Sequence, residues 1–299
     1  MVTYNQKELT ILEGKNRKIA VFTTEGDNID IEVVNSFGEE WLKFQYFSDE
    51  MIISCGEEYF DLISDDILNK NSYVLDIGCG SGRWTKYLTG RAGFIEAIDP
   101  SNSIFAADNL LENISNVRLA KAAIESIPFN NETFDFVMSV GVLHHTPNPP
   151  KAMIDCVKKV KKGGYFYCYL YHNLESKNWL SKVLFRSGEQ IRKIVCRLPM
   201  RTKAYVCDVI AVVVYLPIIF CVRLLIAGGF KKTALEMPLA AYHNKSFFII
   251  RNDSLDKFGT RLEHRYSKQE IKEMMLNSGL VDIKISDGIP YYHAIGRKA

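Results

Sequence analysis

The stretch Val74-Leu75-Asp76-Ile77-Gly78-Cys79-Gly80-Ser81-Gly82 joins a short apolar strand to an acidic residue and three alternating glycines. Glycine lacks a Cβ, so the backbone can turn at positive φ and approach a ligand closely. The dinucleotide fingerprint G-x-G-x-x-G places a pyrophosphate on the next helix. Here the spacing is G-x-G-x-G, and Asp76 would repel a phosphate. The stretch predicts a nucleotide site for a ligand that is positively charged and has no pyrophosphate.

S-adenosylmethionine has a sulfonium, an ammonium and no phosphate, and the loop resembles motif I of the class I methyltransferases that use it. The resemblance implies that Gly78, Cys79, Gly80 and Gly82 lie against the methionine end of this cofactor. It also implies that Asp76 holds the ammonium group, often through water.

The similarity to this family is strong from about Ser72 to Leu170 and follows only the general pattern from Ser267 to Lys298. The segment Asn35-Ser36-Phe37-Gly38-Glu39-Glu40-Trp41 also resembles the lead-ins of small bacterial members of the type 11 methyltransferase group. The family resemblance implies a Rossmann-like sheet and S-adenosylmethionine as the cofactor.

Asp99 ends the second strand of the predicted sheet and is followed by Pro100, which is assigned to the same binding site. A carboxylate at this position can accept hydrogen bonds from both ribose hydroxyls. NAD enzymes use the same arrangement. Asp99 therefore predicts adenosine binding without choosing between the two cofactors.

The adenine part of the predicted site departs from the family pattern. Methyltransferases that the chain resembles often carry an aspartate where Ala123 stands. Adenine recognition would then fall to the backbone of Ile124 and to apolar walls. The segment from Phe134 to His145 is similar to the family's fourth strand and following turn, which face the transferred methyl group, and Ser139 of this strand is assigned to the cofactor site.

His144 and His145 follow that strand and are the candidate catalytic residues. Histidine has an unperturbed pKa of ~6.5 and can act as a base at neutral pH. His145 could deprotonate an acceptor hydroxyl, or the pair could only shape the pocket or pack. Later candidates for an acceptor site are Tyr242, His243, Arg261, His264, Arg265, Tyr291, Tyr292 and His293.

The composition of the chain excludes several classes of protein. A net charge of +2 over 299 residues gives no general case for nucleic acid as a partner. The seven cysteines are scattered and form no metal-ligand pattern, which favours free thiols in a reducing compartment and no bound metal. The first twenty residues lack the apolar segment of a signal peptide. We expect a cytoplasmic protein.

Alternating strand and helix patterns predict an α/β fold with a seven-stranded, Rossmann-like, mostly parallel sheet and an antiparallel last strand. The predicted domains are a lead-in (1–70), the core (71–172), a helical insertion after the fifth strand (173–266) and a C-terminal helix and strand pair (267–299). The predicted strands are Ile19–Phe22 in the lead-in and Tyr73–Ile77, Phe94–Ile98, Val117–Lys121, Phe134–Val140, Tyr165–Tyr171, Val281–Ser286 and Tyr291–Gly296 in the sheet.

Helix signals mark three further segments. Ser36 with Glu39, and Ser267 with Glu270, have the spacing of a capping box and predict helix starts. A third helix should begin at Pro149-Pro150, carry Met153, Val157 and Val160 on one face, and end at Gly163-Gly164. The first helix presents an aromatic face formed by Phe37, Trp41 and Phe44. This face either packs on the sheet or covers the adenosine or acceptor pocket.

The insertion is basic and apolar. One helix should place Ile191, Ile194, Val195 and Leu198 opposite Arg192, Lys193 and Arg197. The uncharged run Val209–Val222 is broken by Pro217 and is shorter than the ~20 apolar residues that span a bilayer. Three interpretations remain open: a cap over the active site, contact with a membrane surface, and a true span. Basic residues far outnumber Glu189 and Asp208 here: Lys177, Lys182, Arg186, Arg192, Lys193, Arg197, Arg201, Lys203, Arg223, Lys231 and Lys232.

The sequence thus predicts a methyltransferase that acts on a small-molecule, sugar or lipid-linked acceptor, at oxygen in preference to nitrogen or carbon. One alternative is an NAD(P)-dependent oxidoreductase, which the glycine spacing disfavours. The other is a catalytically silent subunit of the same fold that anchors a partner at the inner face of the membrane. The oligomeric state, the acceptor and the pathway are not predicted.

Overall fold

The computed structural model describes residues 2–173, 179–288 and 292–299, and the side chains of all of these except 179–186. The chain divides into two compact units. We call Met1–Asn173 with Leu262–Ala299 the sheet unit, and Leu174–Arg261 the helical unit. The predicted insertion extended to residue 266, but 262–266 belong to the sheet unit. The reason is backbone bonding: His264 N donates to His144 O, and Tyr266 N donates to Tyr171 O, both at 2.9 Å.

The described residues of the sheet unit form one nine-stranded sheet. Its strands are β1 (Thr10–Glu13), β2 (Lys18–Val21), β3 (Tyr73–Ile77), β4 (Phe94–Ile98), β5 (Val117–Lys121), β6 (Phe134–Val140), β7 (Val160–Tyr169), β8 (Leu280–Ile285) and β9 (His293–Lys298). The order across the sheet is β1-β2-β5-β4-β3-β6-β7-β9-β8. Chain order reverses between β3 and β6, so a switch point lies at their carboxyl ends, where ligands of such sheets bind.

The predicted fold class is confirmed, and the sheet is wider than expected. Neighbours from β2 to β7 are parallel, and β9 is antiparallel to both β7 and β8. The sheet gains two strands beyond the predicted seven because β2 pairs with β5, and β1 folds back on β2. Strand β1 was not predicted, since this edge strand is mostly exposed and has only four residues.

The predicted helix after Pro149 ends earlier than expected. It stops at Val157, and Val160 already begins β7, so Gly163 and Gly164 lie inside the strand. Gly163 has a φ of +79°, and the pairing of β6 with β7 shifts register between Phe134 and Phe136. The glycines therefore shape an irregular strand. The last strand begins at His293, and Tyr291 lies outside the described residues.

The helices, in chain order, are α1 (Ile31–Lys43), α2 (Asp49–Tyr59), α3 (Arg83–Thr89), α4 (Ile104–Leu110), α5 (Pro149–Val157), α6 (Trp179–Val195), α7 (Met200–Ile210), α8 (Leu216–Ala227), α9 (Lys231–Glu236), α10 (Phe247–Gly259) and α11 (Lys268–Asn277). The capping box of Ser267 and Glu270 is confirmed at the start of α11. The one at Ser36 is wrong. Asp30 caps α1 by accepting from the N–H groups of Glu32 and Val33, so Ser36 lies inside the helix.

The core of the sheet unit lies on both faces of the parallel strands. Residues of β3, β4 and β6 are almost completely buried, as expected for strands covered by helices on two sides. This burial holds the carboxyl ends of the strands rigidly, and these ends support the candidate site.

In the helical unit, α7 and α8 form one continuous helix, Met200–Ala227, joined by a π-helical turn at Ala211–Tyr215. We call it the apolar helix. The expectation that Pro217 breaks this run is wrong, because Pro217 falls in the first turn of α8, directly after the π turn. With 28 residues, the helix is long and apolar enough to cross a bilayer. Only 22% of its most apolar eighteen residues are buried.

The predicted orientation of the basic helix is also corrected. Arg192 lies inside the helical unit, where its guanidinium binds Glu189 and donates to the backbone oxygens of Thr260 and Arg261. Ile191 and Ile194 are exposed at 45% and 69%. Packing against residues distant in sequence therefore overrides the amphipathic pattern. Lys177 lies outside the described residues, as do the side chains of Lys182 and Arg186.

Candidate functional site

The glycine loop, Gly78–Gly82, connects β3 to α3. Gly78, Gly80 and Gly82 all have positive φ, at +75°, +56° and +79°. A Cβ on Gly78 would come within 2.5 Å of Val142 Cγ2, and one on Gly80 within 3.0 Å of Trp41 Nε1. The alternating glycines are therefore required both by the backbone conformation and by close approach of neighbouring side chains.

Four amide groups of this loop donate hydrogen bonds inside the protein. The N–H groups of Gly78 and Cys79 donate to Ile98 O at 2.8 and 3.0 Å, and that of Gly82 donates to Cys79 O at 2.9 Å. Gly80 N donates to Asp99 Oδ2 at 2.9 Å. A phosphate-binding loop instead directs its free amides toward the ligand. The amide groups of Gly78, Cys79, Gly80 and Gly82 are therefore already engaged within the protein.

Asp99 lies directly after β4 and is 8% exposed. Besides Gly80 N, its carboxylate accepts from Ser101 N at 2.8 Å and from Ser101 Oγ at 2.6 Å. A carboxylate has about four acceptor positions. While these three bonds are in place, Asp99 can accept about one ribose hydroxyl, not the predicted pair. Pro100 lies between Asp99 and Ser101 and is partly exposed.

Asp76 is the penultimate residue of β3 and is 2% exposed. Its Oδ2 accepts a hydrogen bond from Thr85 Oγ1 in α3 at 2.6 Å. Burial raises the pKa of Asp76 to about 7; the Thr85 bond opposes this rise, and the nearby Asp99 adds to it. A cationic partner would strongly stabilise the ionised form of such a buried carboxyl.

Helix α1 lies across the glycine loop. Trp41 contacts Gly80, and Gly38 lies against Ser101, where an added Cβ would meet Ser101 Cβ at 3.2 Å. One turn earlier, the ring of Phe37 packs on that of His145, with a centroid distance of 4.7 Å. The third residue of the predicted aromatic face, Phe44, is buried at the end of the helix. Helix α1 thus contacts both the glycine loop and the histidines, which favours the covering role over packing alone.

The predicted adenine side lies at the end of β5. Ala123 is 2% exposed, and its N–H donates to Thr23 O at 3.1 Å. Ile124 begins a short 3₁₀ helix and packs against the sheet core. Ser139 is fully buried in β6 and donates to Ile77 O at 3.2 Å, so it connects β6 to the strand before the glycine loop.

His144 and His145 belong to a 3₁₀ turn after β6, Leu143–His145, which we call the histidine turn. His145 Nδ1 lies 2.8 Å from Leu262 O. A carbonyl only accepts, so Nδ1 carries the hydrogen and Nε2 bears the lone pair. This tautomer is the one that a base acting through Nε2 requires.

His144 has a different environment from His145. It is completely buried and stacks on Tyr171 with a centroid distance of 4.0 Å, and neither ring nitrogen has a hydrogen-bond partner among the described residues. Burial lowers the pKa of His144 well below its usual value, and the nearby charges of His145, Arg265 and His264 lower it further. A group this weakly basic is a poor proton acceptor. His145 is therefore the better candidate base.

An aromatic cluster surrounds the histidine turn. Tyr169 lies 5.8 Å from Tyr171 and 5.0 Å from Tyr59, measured between ring centroids. His293 pairs with Tyr169 across the sheet, and its Nδ1 lies 2.9 Å from Asp61 Oδ1. These contacts join the ends of β7 and β9 to the loop after α2. They offer an apolar, flat-sided surface at the same edge of the sheet as the glycine loop.

The other late candidates are distributed over both units. His264 and Arg265 lie in the sheet unit beside the histidine turn. Tyr292 also lies in this unit, and the N–H groups of Tyr292 and Leu170 each donate to the carbonyl oxygen of the other residue. In contrast, Tyr242, His243 and Arg261 belong to the helical unit. The structure therefore brings only part of this set to the histidine turn.

Several residues of the site were missed from the sequence. Thr85, Ser101 and Asp61 position Asp76, Asp99 and His293 respectively. Ser101 had a local signal, because a serine two residues after an aspartate often completes a turn. Asp61 had none, since its partner lies 232 residues away.

Residues 75–168 match the family model described as methyltransferase domain. The sheet unit carries a class I, S-adenosylmethionine-dependent methyltransferase domain. The match favours S-adenosylmethionine over NAD as the cofactor. Asp99 alone is compatible with either of them. It includes the glycine loop, Asp99 and the histidine turn, and it ends within β7.

Among proteins similar to this methyltransferase domain is the ubiquinone biosynthesis O-methyltransferase of Coxiella burnetii, 26% identical over 107 residues, which are 35% of this chain and 46% of the relative. The enzyme of that name from Nitrosomonas europaea is 30% identical over 150 residues, 49% of this chain and 60% of the relative. The chain spans about half the length of the curated relatives it matches. Human N-acetylserotonin methyltransferase, solved with S-adenosylmethionine, shares the fold at a TM-score of 0.50 and 11% identity, over 88% of this chain and 56% of that one.

The site fits S-adenosylmethionine in three respects. The positive-φ glycines provide a stretch of backbone without side chains after β3. Asp76 is a buried carboxyl, and a cationic ligand would offset the desolvation that raises its pKa. Ser81 Oγ is buried within the loop without a hydrogen-bond partner among the described residues, so it can bind a polar group of the ligand. Among those residues, no group of three or more metal-binding side chains is placed to hold an ion.

Proposed function

We propose that this protein methylates an oxygen atom of a small-molecule, sugar or lipid-linked acceptor. The observation that carries the proposal is the tautomer of His145, fixed by Leu262 O at 2.8 Å, beside an aromatic surface and next to the glycine loop. A hydroxyl acceptor needs its proton removed, whereas many nitrogen acceptors do not. The curated O-methyltransferases that match the domain agree with attack by oxygen.

When bound, S-adenosylmethionine would supply an electrophilic methyl group on a sulfonium whose leaving group is a neutral thioether. In the proposed reaction, His145 would accept the hydroxyl proton at Nε2 as the acceptor oxygen takes the methyl group in place of the thioether sulfur. Because the leaving group is neutral, the chain's main tasks are alignment and exclusion of water. Asp76 and Asp99 hold the donor, and Phe37 packs on His145 to fix the ring.

The different environments of the two histidines support distinct roles for them. His145 is positioned by a backbone carbonyl, while His144 stacks between Tyr171 and His145 and stays neutral. We propose that His144 holds the histidine turn against β7. Tyr169 and Tyr171 then provide flat apolar surfaces for a ring or an isoprenoid portion of the acceptor.

The test is a screen of phenols, quinols, glycans and their lipid-linked forms with S-adenosylmethionine, followed by mass spectrometry. The expected product gains one CH₂ unit, and chemical degradation places the new methyl group on oxygen. A product methylated only on nitrogen or carbon would refute the oxygen proposal. Donor binding without any transfer, together with cellular function that survives loss of donor binding, would instead support the silent-subunit alternative.

We also propose that the protein works in the cytoplasm. No disulfide bond joins the seven cysteines in the described part of the chain, and four of them, including Cys79 and Cys168, are buried. Burial raises the pKa of Cys168 to about 12, so this thiol stays protonated and unreactive. Seven cysteines outside disulfide bonds are typical of a reducing compartment. Labelling of intact and opened cells with a membrane-impermeant reagent directed at the exposed Cys221 tests this location, and reaction in intact cells would contradict it.

A further inference from the structure

The apolar helix, Met200–Ala227, has two faces that differ in burial. Its inner face packs within the helical unit and is formed by Ala204, Cys207, Ala211, Tyr215, Ile219 and Val222. Its outer stripe is exposed over 43% to 70% of each side chain and is formed by Tyr205, Val209, Val213, Phe220 and Leu224. Both follow helical spacing, so the stripe lies along one continuous side.

The outer stripe is about as large as the largest apolar patch of a typical soluble protein, and such patches are often functional. Residues 205 to 224 extend ~29 Å at 1.5 Å per residue, and a helix face ~10 Å wide gives roughly 300 Å². Exposed apolar patches of this size mark sites of interaction. The nearby Ile191 and Ile194 of α6 and Phe230 after α8 add exposed apolar side chains at 45%, 69% and 63%.

Basic residues at both ends of the stripe indicate the partner. Arg197 and Arg201 precede the stripe, and Lys231 and Lys232 follow it; all four are exposed and have no ion-pair partner among the described residues. The acidic side chain of the apolar helix, Asp208, is already bound by Arg251 through contacts of 2.9 and 2.7 Å. The uncompensated charge at the ends is therefore positive, which suits anionic lipid headgroups.

The same contacts favour a helix that lies in the membrane surface over one that crosses the bilayer. Along its inner face, Asp208 binds Arg251, and Tyr215 donates to Asp253, which also pairs with Lys257. A crossing helix would carry these charged groups of α10 into the hydrocarbon, where charge is costly. An in-plane helix buries only the outer stripe and leaves α10 in water.

We propose that the apolar helix is an in-plane docking element that inserts its outer stripe into the surface of an anionic bilayer. Apolar burial supplies the insertion, and the terminal Arg and Lys residues bind the headgroups. The proposal stands independently of the methyl acceptor, because it rests on residues of the helical unit alone.

The test is flotation of the full-length protein with vesicles of phosphatidylcholine and phosphatidylglycerol in equal parts, compared with vesicles of phosphatidylcholine alone. We expect binding mainly to the anionic vesicles, weakened by salt. The double variant Val213→Glu with Phe220→Glu should lower the partition coefficient by about tenfold or more. The matched control is Ile53→Glu with Leu276→Glu, two similarly exposed apolar residues of the sheet unit, and should bind as wild type does.

Three outcomes would overturn the proposal. The first is equal recovery of the wild type and of Val213→Glu with Phe220→Glu on anionic vesicles. The second is retention of the wild type after an alkaline carbonate wash, which would indicate a crossing helix. The third is a dimer in solution that the double variant converts to monomer without any vesicle binding by the wild type, which would show that a second copy covers the stripe. Reversal of Arg201, Lys231 and Lys232 to Glu should separately abolish the preference for anionic lipid, and an unchanged preference would contradict headgroup recognition.

Discussion

The glycine loop and the histidine turn lie at the same edge of one sheet, but they are built differently. The loop is held by residues close in sequence: Asp76, Thr85 and Asp99 with its partner Ser101. The histidine turn takes its contacts from all parts of the chain, including Phe37, Tyr171 and Leu262. Because the loop depends on nearby residues, the donor site can stay the same while the acceptor differs. Because the histidine turn depends on distant segments, changes in those segments can alter acceptor specificity without affecting the donor site.

The largest effect should come from the histidine turn. His145→Gln keeps a group that can donate to Leu262 O but removes the base, so we expect kcat to fall by about 10²- to 10⁴-fold, with little change in the affinity for S-adenosylmethionine. Rapid-quench kinetics and calorimetry measure the two quantities. The control is His243→Gln, because His243 Nδ1 also lies 2.8 Å from a carbonyl but in the helical unit. An equal loss of donor affinity in His145→Gln would show that the two regions are not separable.

The second effect belongs to the glycine loop. Asp99→Ala removes the acceptor for Gly80 N and for ribose, and we expect the dissociation constant for S-adenosylmethionine to rise about 100-fold, because hydrogen bonds to a charged group contribute ~1.5–3 kcal/mol each. Calorimetry measures the constant. Asp155→Ala removes a carboxylate of α5 that pairs with Lys158 and should bind normally. Wild-type affinity in Asp99→Ala would remove Asp99 from the donor site.

A third effect concerns the protonation of Asp76. With a pKa of about 7 in the ligand-free protein, this carboxyl must lose its proton before it can pair with a cation. The affinity for S-adenosylmethionine should therefore fall about tenfold per pH unit below 7 and stay constant above it. Calorimetry in buffers of different ionisation enthalpy would detect the released proton.

Asp76→Asn is the control for this pH dependence. It should bind weakly at every pH, and its ligand-free form should unfold at a higher temperature than wild type above pH 7. The sign follows from the raised pKa: the contribution of Asp76 to folding is fully present below the unfolded-state pKa and is lost as the pH rises through about 7. An amide has no such loss. A lower melting temperature for Asp76→Asn above pH 7 would show that burial does not strain this carboxylate.

The smallest effect on catalysis should come from His293→Gln. His293 is completely buried and bound to Asp61, so the substitution should lower the free energy of unfolding by about 1–3 kcal/mol. We expect kcat to stay within about threefold of wild type, since His145 already serves as the base. Denaturant unfolding and steady-state kinetics measure the two results. A loss of kcat as large as that of His145→Gln would move the base to the Asp61–His293 pair.

The glycine loop was largely predictable because its determinants are short-range. One β-α-β segment contains all of them: three positive-φ glycines, Asp76 near the end of β3 and a second acidic residue after β4. The bond from Gly80 N to Asp99 was not predictable, because it depends on how closely two adjacent turns approach. That bond occupies one acceptor position of the Asp99 carboxylate that a ribose hydroxyl would otherwise use.

The histidine turn and the helical unit were harder to predict because distant packing decides them. No local pattern places the carbonyl of Leu262 against His145, or Asp61 against His293. In the helical unit, the helical period indicated an amphipathic segment in α6. The orientation of that segment was not predictable, because Arg192 donates to the backbone oxygen of Thr260 and therefore lies on the inner side. Likewise, the π turn that carries the apolar helix through Pro217 has no simple sequence signal.

Helix α1 contacts Gly80 through Trp41 and His145 through Phe37, four residues apart. One turn of helix therefore sets the distance between the contact with the donor loop and the contact with the candidate base. One residue inserted between Phe37 and Trp41 would rotate one ring by about 100° relative to the other and move it along the axis by ~1.5 Å. Substitutions on the exposed side of α1 would keep this spacing, but an insertion or deletion within this single turn would separate the contact with the glycine loop from the contact with His145.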